Sequence, residues 1–184
     1  MTIRPIQPGD VSAVVRMVHD LAEYERAPDQ CTLTDSQLTD ALFGPSPALY
    51  GHVAEDGAGG VAGFALWFLN FSTWRGEHGI YLEDFYIRPE VRGTGLGRSL
   101  LATLAAIATE RGYARLDWAV LHWNTPAREV YHALGAEPLD EWVPYRVEGE
   151  ALVKLAAAAP DPGQSGHGGA QQNNVGSPIG PPAS

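Results

Sequence analysis

The chain has 184 residues, with Lys+Arg 12 against Asp+Glu 22 and a formal net charge of −10. That balance argues against a nucleic-acid binder, which needs a basic footprint for phosphates, and suits a cationic partner; the length fits one domain. Apolar residues make up 45% and supply a sizeable core, yet they form no run of about 18 that would span a membrane, and Met1-Thr2-Ile3-Arg4-Pro5 has no apolar signal region.

Taken in chain order, Thr2–Ile6 reads as a short strand. Asp10 is placed to cap a helix with Val11, Val14, Val15, Val18, Leu21 and Ala22 at helical spacing. The single cysteine, Cys31, has no internal disulfide partner and fits a reducing cytoplasm. Thr34–Leu42 is a second, weaker helix. Leu49–Ala54 and Val61–Asn70 read as strands split by a Gly-rich turn, and the second is apolar on both faces, as a central strand is. Ile80–Arg88 is a further strand. Leu96–Arg111 is a strong helix ended by Gly112. Arg115–Leu121 reads as a strand, and Thr125 as the cap of a helix with Pro126 at its first position and Gly135 past its end. Val147–Leu155 is the last expected strand.

This order predicts an α/β chain of the α+β mixed-sheet kind, with helices on the faces of the sheet. Residues 1–156 form the expected domain. Residues 157–184 contain 6 Gly and 5 Pro and no aromatic residue, too little apolar surface to offset ordering entropy, so a disordered tail is expected there.

Arg92-Gly93-Thr94-Gly95-Leu96-Gly97-Arg98 stands between a strand and the strongest helix. Alternate glycines let backbone approach a ligand, and a helix start offers free N–H groups and the positive end of its dipole to phosphate. The same triplet would also serve as a plain strand-to-helix turn; two flanking arginines in an acidic chain favour the phosphate reading. A P-loop is excluded because its lysine is missing, Lys154 being the only lysine, and G-x-G-x-G does not match the dinucleotide fingerprint.

Glu83 and Asp84 interrupt the apolar strand Ile80–Ile87. In a regular strand they face opposite ways, so they are expected to differ in role, one of them facing a cleft. Partial burial there would raise a carboxyl pKa toward neutrality, as a general base requires; a solvated face or an ion pair is the plainer alternative. Tyr131, on the last-named helix, is either a core aromatic or a weak acid suited to a thiolate leaving group. Asn124 reads as a cap or turn residue. The histidines show no ligand spacing, and no metal site is expected.

The loop Arg92–Gly97, together with Leu82-Glu83-Asp84-Phe85, Trp123-Asn124-Thr125-Pro126 and Tyr131, resembles the GNAT superfamily of N-acetyltransferases, and within it the diamine (spermidine/spermine) branch. The resemblance covers about residues 2–156. It implies a GNAT-like fold, its central, mostly antiparallel sheet splayed at an acetyl-CoA cleft. It implies acetyl-CoA as co-substrate, bound by Phe85, Ile87, Arg92, Gly93, Thr94, Gly95, Leu96, Gly97, Arg98, Asn124, Thr125, Pro126, Ala127 and Tyr131. Glu83 would be the base for the amine and Tyr131 the acid for the departing thiolate. Tyr24, Glu25, Glu83, Asp84, Asp117, Trp118, Ala119 and Glu141 match acceptor-side positions.

The expected reaction is direct acetyl transfer to a primary amine of a small cationic substrate: a diamine, a polyamine, or an amino-acid side-chain amine such as thialysine. A cytoplasmic homodimer is implied, with no nucleic-acid or membrane partner. His122 stands where the polyamine enzymes often carry an acid, and one fewer acid favours shorter amines; Pro138–Tyr145 looks shorter than its counterpart, so the match of Glu141 depends on a gap. Acetylation of a protein or peptide amine, and a non-catalytic acyl-CoA-binding module, are the alternatives. An amine panel and the effect of Glu83→Gln separate them.

Overall fold

In the computed structural model, residues 2–160 are described, and the chain divides into two compact units, Met1–Ala136 and Glu137–Ser184. The first unit holds one sheet of five strands in the order β1 (Thr2–Pro5), β2 (Tyr50–Glu55), β3 (Val61–Ser72), β4 (Glu77–Ile87), β5 (Leu116–Trp118). The first three pairings are antiparallel and the last, β4 with β5, is parallel. The mixed sheet expected from the sequence is present.

Helices cover both faces. α1 (Val11–Tyr24) and α2 (Asp35–Phe43) lie on one, where Val14, Met17, Leu38 and Leu42 pack with Phe64 and Tyr86. α3 (Leu96–Glu110) covers the other, with Leu100, Leu104 and Ala108 against Trp67, Ile80 and Leu82. β3 therefore feeds both cores, which explains its apolar residues on both sides. Each fully buried leucine here is worth about 1.5–3 kcal/mol relative to exposure.

The helix starts are set by local side-chain bonds, though not by the caps expected at Asp10 and Thr125. Thr34 caps α2 in a reciprocal box with Gln37, each satisfying a free backbone donor of the other. Asp10 precedes α1 but makes no side-chain cap; its carboxylate instead takes Arg4 at 2.6 and 2.9 Å and the Gln7 N–H at 2.8 Å. Arg4 also reaches Glu55 at 2.7 Å, pinning β1 to β2.

α4 (Thr125–Ala133) is capped by Asn124, with Thr125 already inside the helix. The amide oxygen of Asn124 reaches the Ala127 N–H, which a threonine one residue later could not. In the second unit, the strand expected over Val147–Leu155 is a helix, α5 (Gly149–Ala156). Ala, Leu, Glu and Lys dominate it, Glu150 sits in its first turn and Lys154 in its last, and these preferences favour a helix over the expected strand. The tail expected from residue 157 lies outside the described residues from 161 onward.

Candidate active site

The site forms where β4 and β5 part. Their pairing runs only from Ile80–Leu116 to Leu82–Trp118, after which β4 continues alone to Ile87. At that point β4 also gains one residue: Leu66 pairs with Asp84 and Trp67 with Leu82, so Glu83 is a bulge.

The bulge changes which backbone groups face β5. Before it, the N–H of Ile80 donates to Arg115 on the β5 side at 3.0 Å. After it, the N–H of Arg88 donates to Ala62 on the β3 side at 2.9 Å, which turns Phe85 and Ile87 to the open side. Even-numbered residues thus face β5 before the bulge and odd-numbered ones after it. The freed backbone of Phe85 and Ile87 looks into the gap.

The gap is a cavity of about 500 Å³. One wall is Glu83–Ile87, with Trp118, Ala119 and Val120 across from it. The floor is the glycine turn. Gly93 at φ +78° and Gly95 at φ +90° need left-handed backbone, whereas Gly97 is small because a Cβ there would meet the Phe85 ring at 3.2 Å. Gly95 is the cap residue of α3, so the helix opens on the cavity, with Arg98 in its first turn. Arg92 is held by an N–H donated to the Ile87 carbonyl at 2.9 Å, and its guanidinium lies 5.4 Å from the ring centres of both Tyr24 and Tyr86. A turn of this form, with arginines on either side, suits a diphosphate.

The acidic corner is Glu25, Glu83 and Asp84, all lining the cavity. The expectation that Glu83 and Asp84 face opposite ways is overturned: the bulge breaks the alternation and brings both to one hollow. Burial, together with the charges of Glu83 and Glu25, pushes the Asp84 carboxyl up to about 6. Burial also raises Glu25. Tyr131 enters from α4 with its ring edge-on to Trp118 at 5.0 Å; burial first, then Glu25 and Tyr24, push its phenol up and keep it protonated. A carboxylate and a phenol therefore share one hollow. Asn124 completes the corner: buried, it caps α4 and accepts from the Tyr24 hydroxyl at 3.1 Å.

Of the expected residues, Tyr24, Glu25, Glu83, Asp84, Phe85, Ile87, Arg92, Gly93, Gly95, Gly97, Arg98, Trp118, Ala119, Asn124, Pro126, Ala127 and Tyr131 line the cavity. Others do not. Thr94 turns its hydroxyl to the Val91 carbonyl at 2.7 Å, Leu96 is buried in the α3 core, and Thr125 is exposed. Asp117 is held by Arg115 at 2.6 Å and by Asn70 at 2.8 Å. Glu141 belongs to the second unit. Leu21, Tyr86, Val91 and Val130 line the cavity without having been singled out; they are apolar-stripe and strand residues with no chemical mark in the sequence.

A glycine turn flanked by arginines, beside an acidic corner and a protonated phenol, suits transfer of a group from a phosphate-bearing donor to a basic acceptor. The profile described as Acetyltransferase (GNAT) family matches residues 14–136, and the chain belongs to that family and is an N-acetyltransferase. Enzymes of this family use acetyl-CoA as co-substrate. A thialysine N-epsilon-acetyltransferase of Bos taurus is 40% identical over 164 residues, covering 84% of this chain and 96% of the relative. A human spermidine/spermine N(1)-acetyltransferase-like protein 1 is 29% identical over 84% of this chain, which spans 23% of that longer protein. Among solved structures, an integron cassette protein from the mobile metagenome of V. cholerae superposes with a TM-score of 0.72 at 27% identity, covering 85% of this chain and 98% of that one.

Proposed function

We propose that this enzyme acetylates a primary amine of a small cationic acceptor by direct attack, with acetyl-CoA held in the gap between β4 and β5. One observation carries the reading: the Glu83 bulge delivers two carboxylates and the open backbone of Phe85 and Ile87 to the same hollow as Tyr131. When bound, acetyl-CoA supplies the reactive acyl thioester. Gly93, Gly95, Gly97, Arg92 and Arg98 hold its diphosphate, and Asn124, Pro126 and Ala127 line its path.

Asp84 and Glu25 attract the acceptor ammonium. An alkylammonium has a pKa near 10 and no free lone pair at neutral pH, so a base must take its proton; Glu83, exposed at the bulge, does so directly or through water. The N–H groups of Phe85 and Ile87 face the side where negative charge develops on the acyl oxygen. Tyr131 gives its proton to the departing thiolate. Thr94, Leu96, Thr125, Asp117 and Glu141 take no part in this reading.

Among the described residues no helix is long and apolar enough to cross a membrane. A cytoplasmic homodimer acting on a free small molecule completes the proposal, supported by the single cysteine and by the family resemblance. The test is release of CoA thiol from acetyl-CoA with a panel of diamines, polyamines, amino-acid amines and peptides. Turnover is expected with small amines. Turnover confined to peptides, or none with any amine, overturns the reading.

A further inference from the structure

The acceptor rim carries a cation that the mechanism above does not use. The chain leaves α1 through Glu25 and then Arg26, which sits at φ +63°, the only residue other than glycine with left-handed backbone among the described residues. Side chains other than glycine rarely adopt that conformation, and where they do the surroundings impose it. Here the turn carries the guanidinium over Trp123, with Cζ 5.0 Å from the ring centre. Trp123 lies 5.7 Å from the Tyr24 ring, and Tyr24, Glu25 and Asn124 line the cavity. Arg26 is therefore flanked in sequence and in space by residues of the acceptor corner.

Its charge is uncommitted. Arg26 is exposed and has no ion pair among the described residues. Arg92, by contrast, is tied to the Ile87 carbonyl, and Arg98 opens α3 at the glycine turn. A guanidinium held over an indole by cation–π attraction needs no hydrogen-bond partner there, and its N–H donors match the two oxygens of a carboxylate.

The acidic corner asks for such a group. Glu25, Glu83 and Asp84 attract ammonium groups and repel any carboxylate on the same molecule. A diamine or polyamine brings only ammonium groups. An α-amino acid with a terminal side-chain amine also brings a carboxylate, and needs a cation at the rim. Burial agrees with that division: Asp84 is half-buried and lines the cavity, whereas Arg26 is exposed and follows the cavity residue Glu25.

We propose that Arg26 recognises the α-carboxylate of the acceptor, so that the preferred substrate is an amino acid with a side-chain amine and not a diamine or polyamine. This rests on the amine-acetyltransferase reading above. The test compares L-lysine with cadaverine, and L-ornithine with putrescine, each pair differing only in the carboxylate. The variants are Arg26→Gly, which suits the left-handed backbone and keeps the fold, and Arg26→Lys, which keeps the charge; melting temperature and acetyl-CoA affinity are followed alongside.

Wild type should favour the amino acid of each pair. Arg26→Gly should lower the ratio of kcat/KM for lysine over cadaverine by about tenfold to a hundredfold, through KM, as loss of a charge-assisted hydrogen-bond pair does. Arg26→Lys should restore part of it. An unchanged ratio, or equal losses on both members of a pair, overturns the proposal while leaving amine acetylation intact. No turnover by wild type on any amine overturns both.

Discussion

From Ile80 to Leu82, β4 is paired on both sides; Glu83 bulges out, and from Asp84 to Ile87 the strand is paired with β3 alone. The first stretch is core. Ile80 and Leu82 are buried under α3, and their backbone is consumed by hydrogen bonds to neighbouring strands. The second stretch is chemistry: it presents two acids and unspent backbone donors to a cavity. One inserted residue separates the two. Sheet architecture normally hides backbone polarity, and here the same strand hides it, then releases it where a ligand needs it.

The contrast is open to attack at either end. The largest effect is expected from Glu83→Gln, which keeps shape and removes the base. The rate of acetyl transfer should fall about 10²–10⁴-fold with the melting temperature unchanged, measured by CoA thiol release and thermal unfolding. A loss below tenfold would move the base elsewhere.

Ile80→Ala, three residues earlier, should do the reverse. It removes packing under α3 and should cost about 2–5 kcal/mol in urea unfolding, while kcat falls little where the protein remains folded. Equal damage to activity and stability from both substitutions would erase the distinction between the halves.

Tyr131→Phe sharpens the picture by testing a group that reaches the gap from α4. Turnover should drop about tenfold or more with acetyl-CoA affinity unmoved, because the hydroxyl matters as charge grows on sulfur. A change confined to affinity would remove Tyr131 as the acid.

The smallest effect is a pH limb. Asp84, pushed up to about 6, loses its charge below that pH, so kcat/KM for the amine should fall as pH drops through about 6. In Asp84→Asn that limb should vanish. Stability moves oppositely. The folded protein holds this proton more tightly than the unfolded chain does. Asp84 therefore favours folding fully below its unfolded pKa near 4, and that contribution fades as pH rises to about 6. Above about pH 6, Asp84→Asn should melt higher than wild type.

Much of this was legible in the sequence because it is local. The glycine turn and the α3 stripe depend on residues within a few positions of one another. The bulge at Glu83 was not legible, because it is set by how β4 pairs with Leu66 and Trp67, some sixteen residues back along the chain. Alternation alone put Glu83 and Asp84 on opposite faces. The family resemblance put Asp117 among the acceptor-side positions, but Arg115, two residues away on the same face, and Asn70 from β3 hold it. At α5, Val147–Leu155 reads as a strand interrupted at Gly149, and helix-forming side chains after that glycine win.

Asn124 leaves one more consequence. Its single side-chain oxygen takes both the Ala127 N–H and the Tyr24 hydroxyl, so the last turn of α1 and the first turn of α4 hang from one atom. Neither helix end is able to swing outward without loosening the other. A molecule that wedges Tyr24 aside must also disturb the cap of the helix that carries Tyr131.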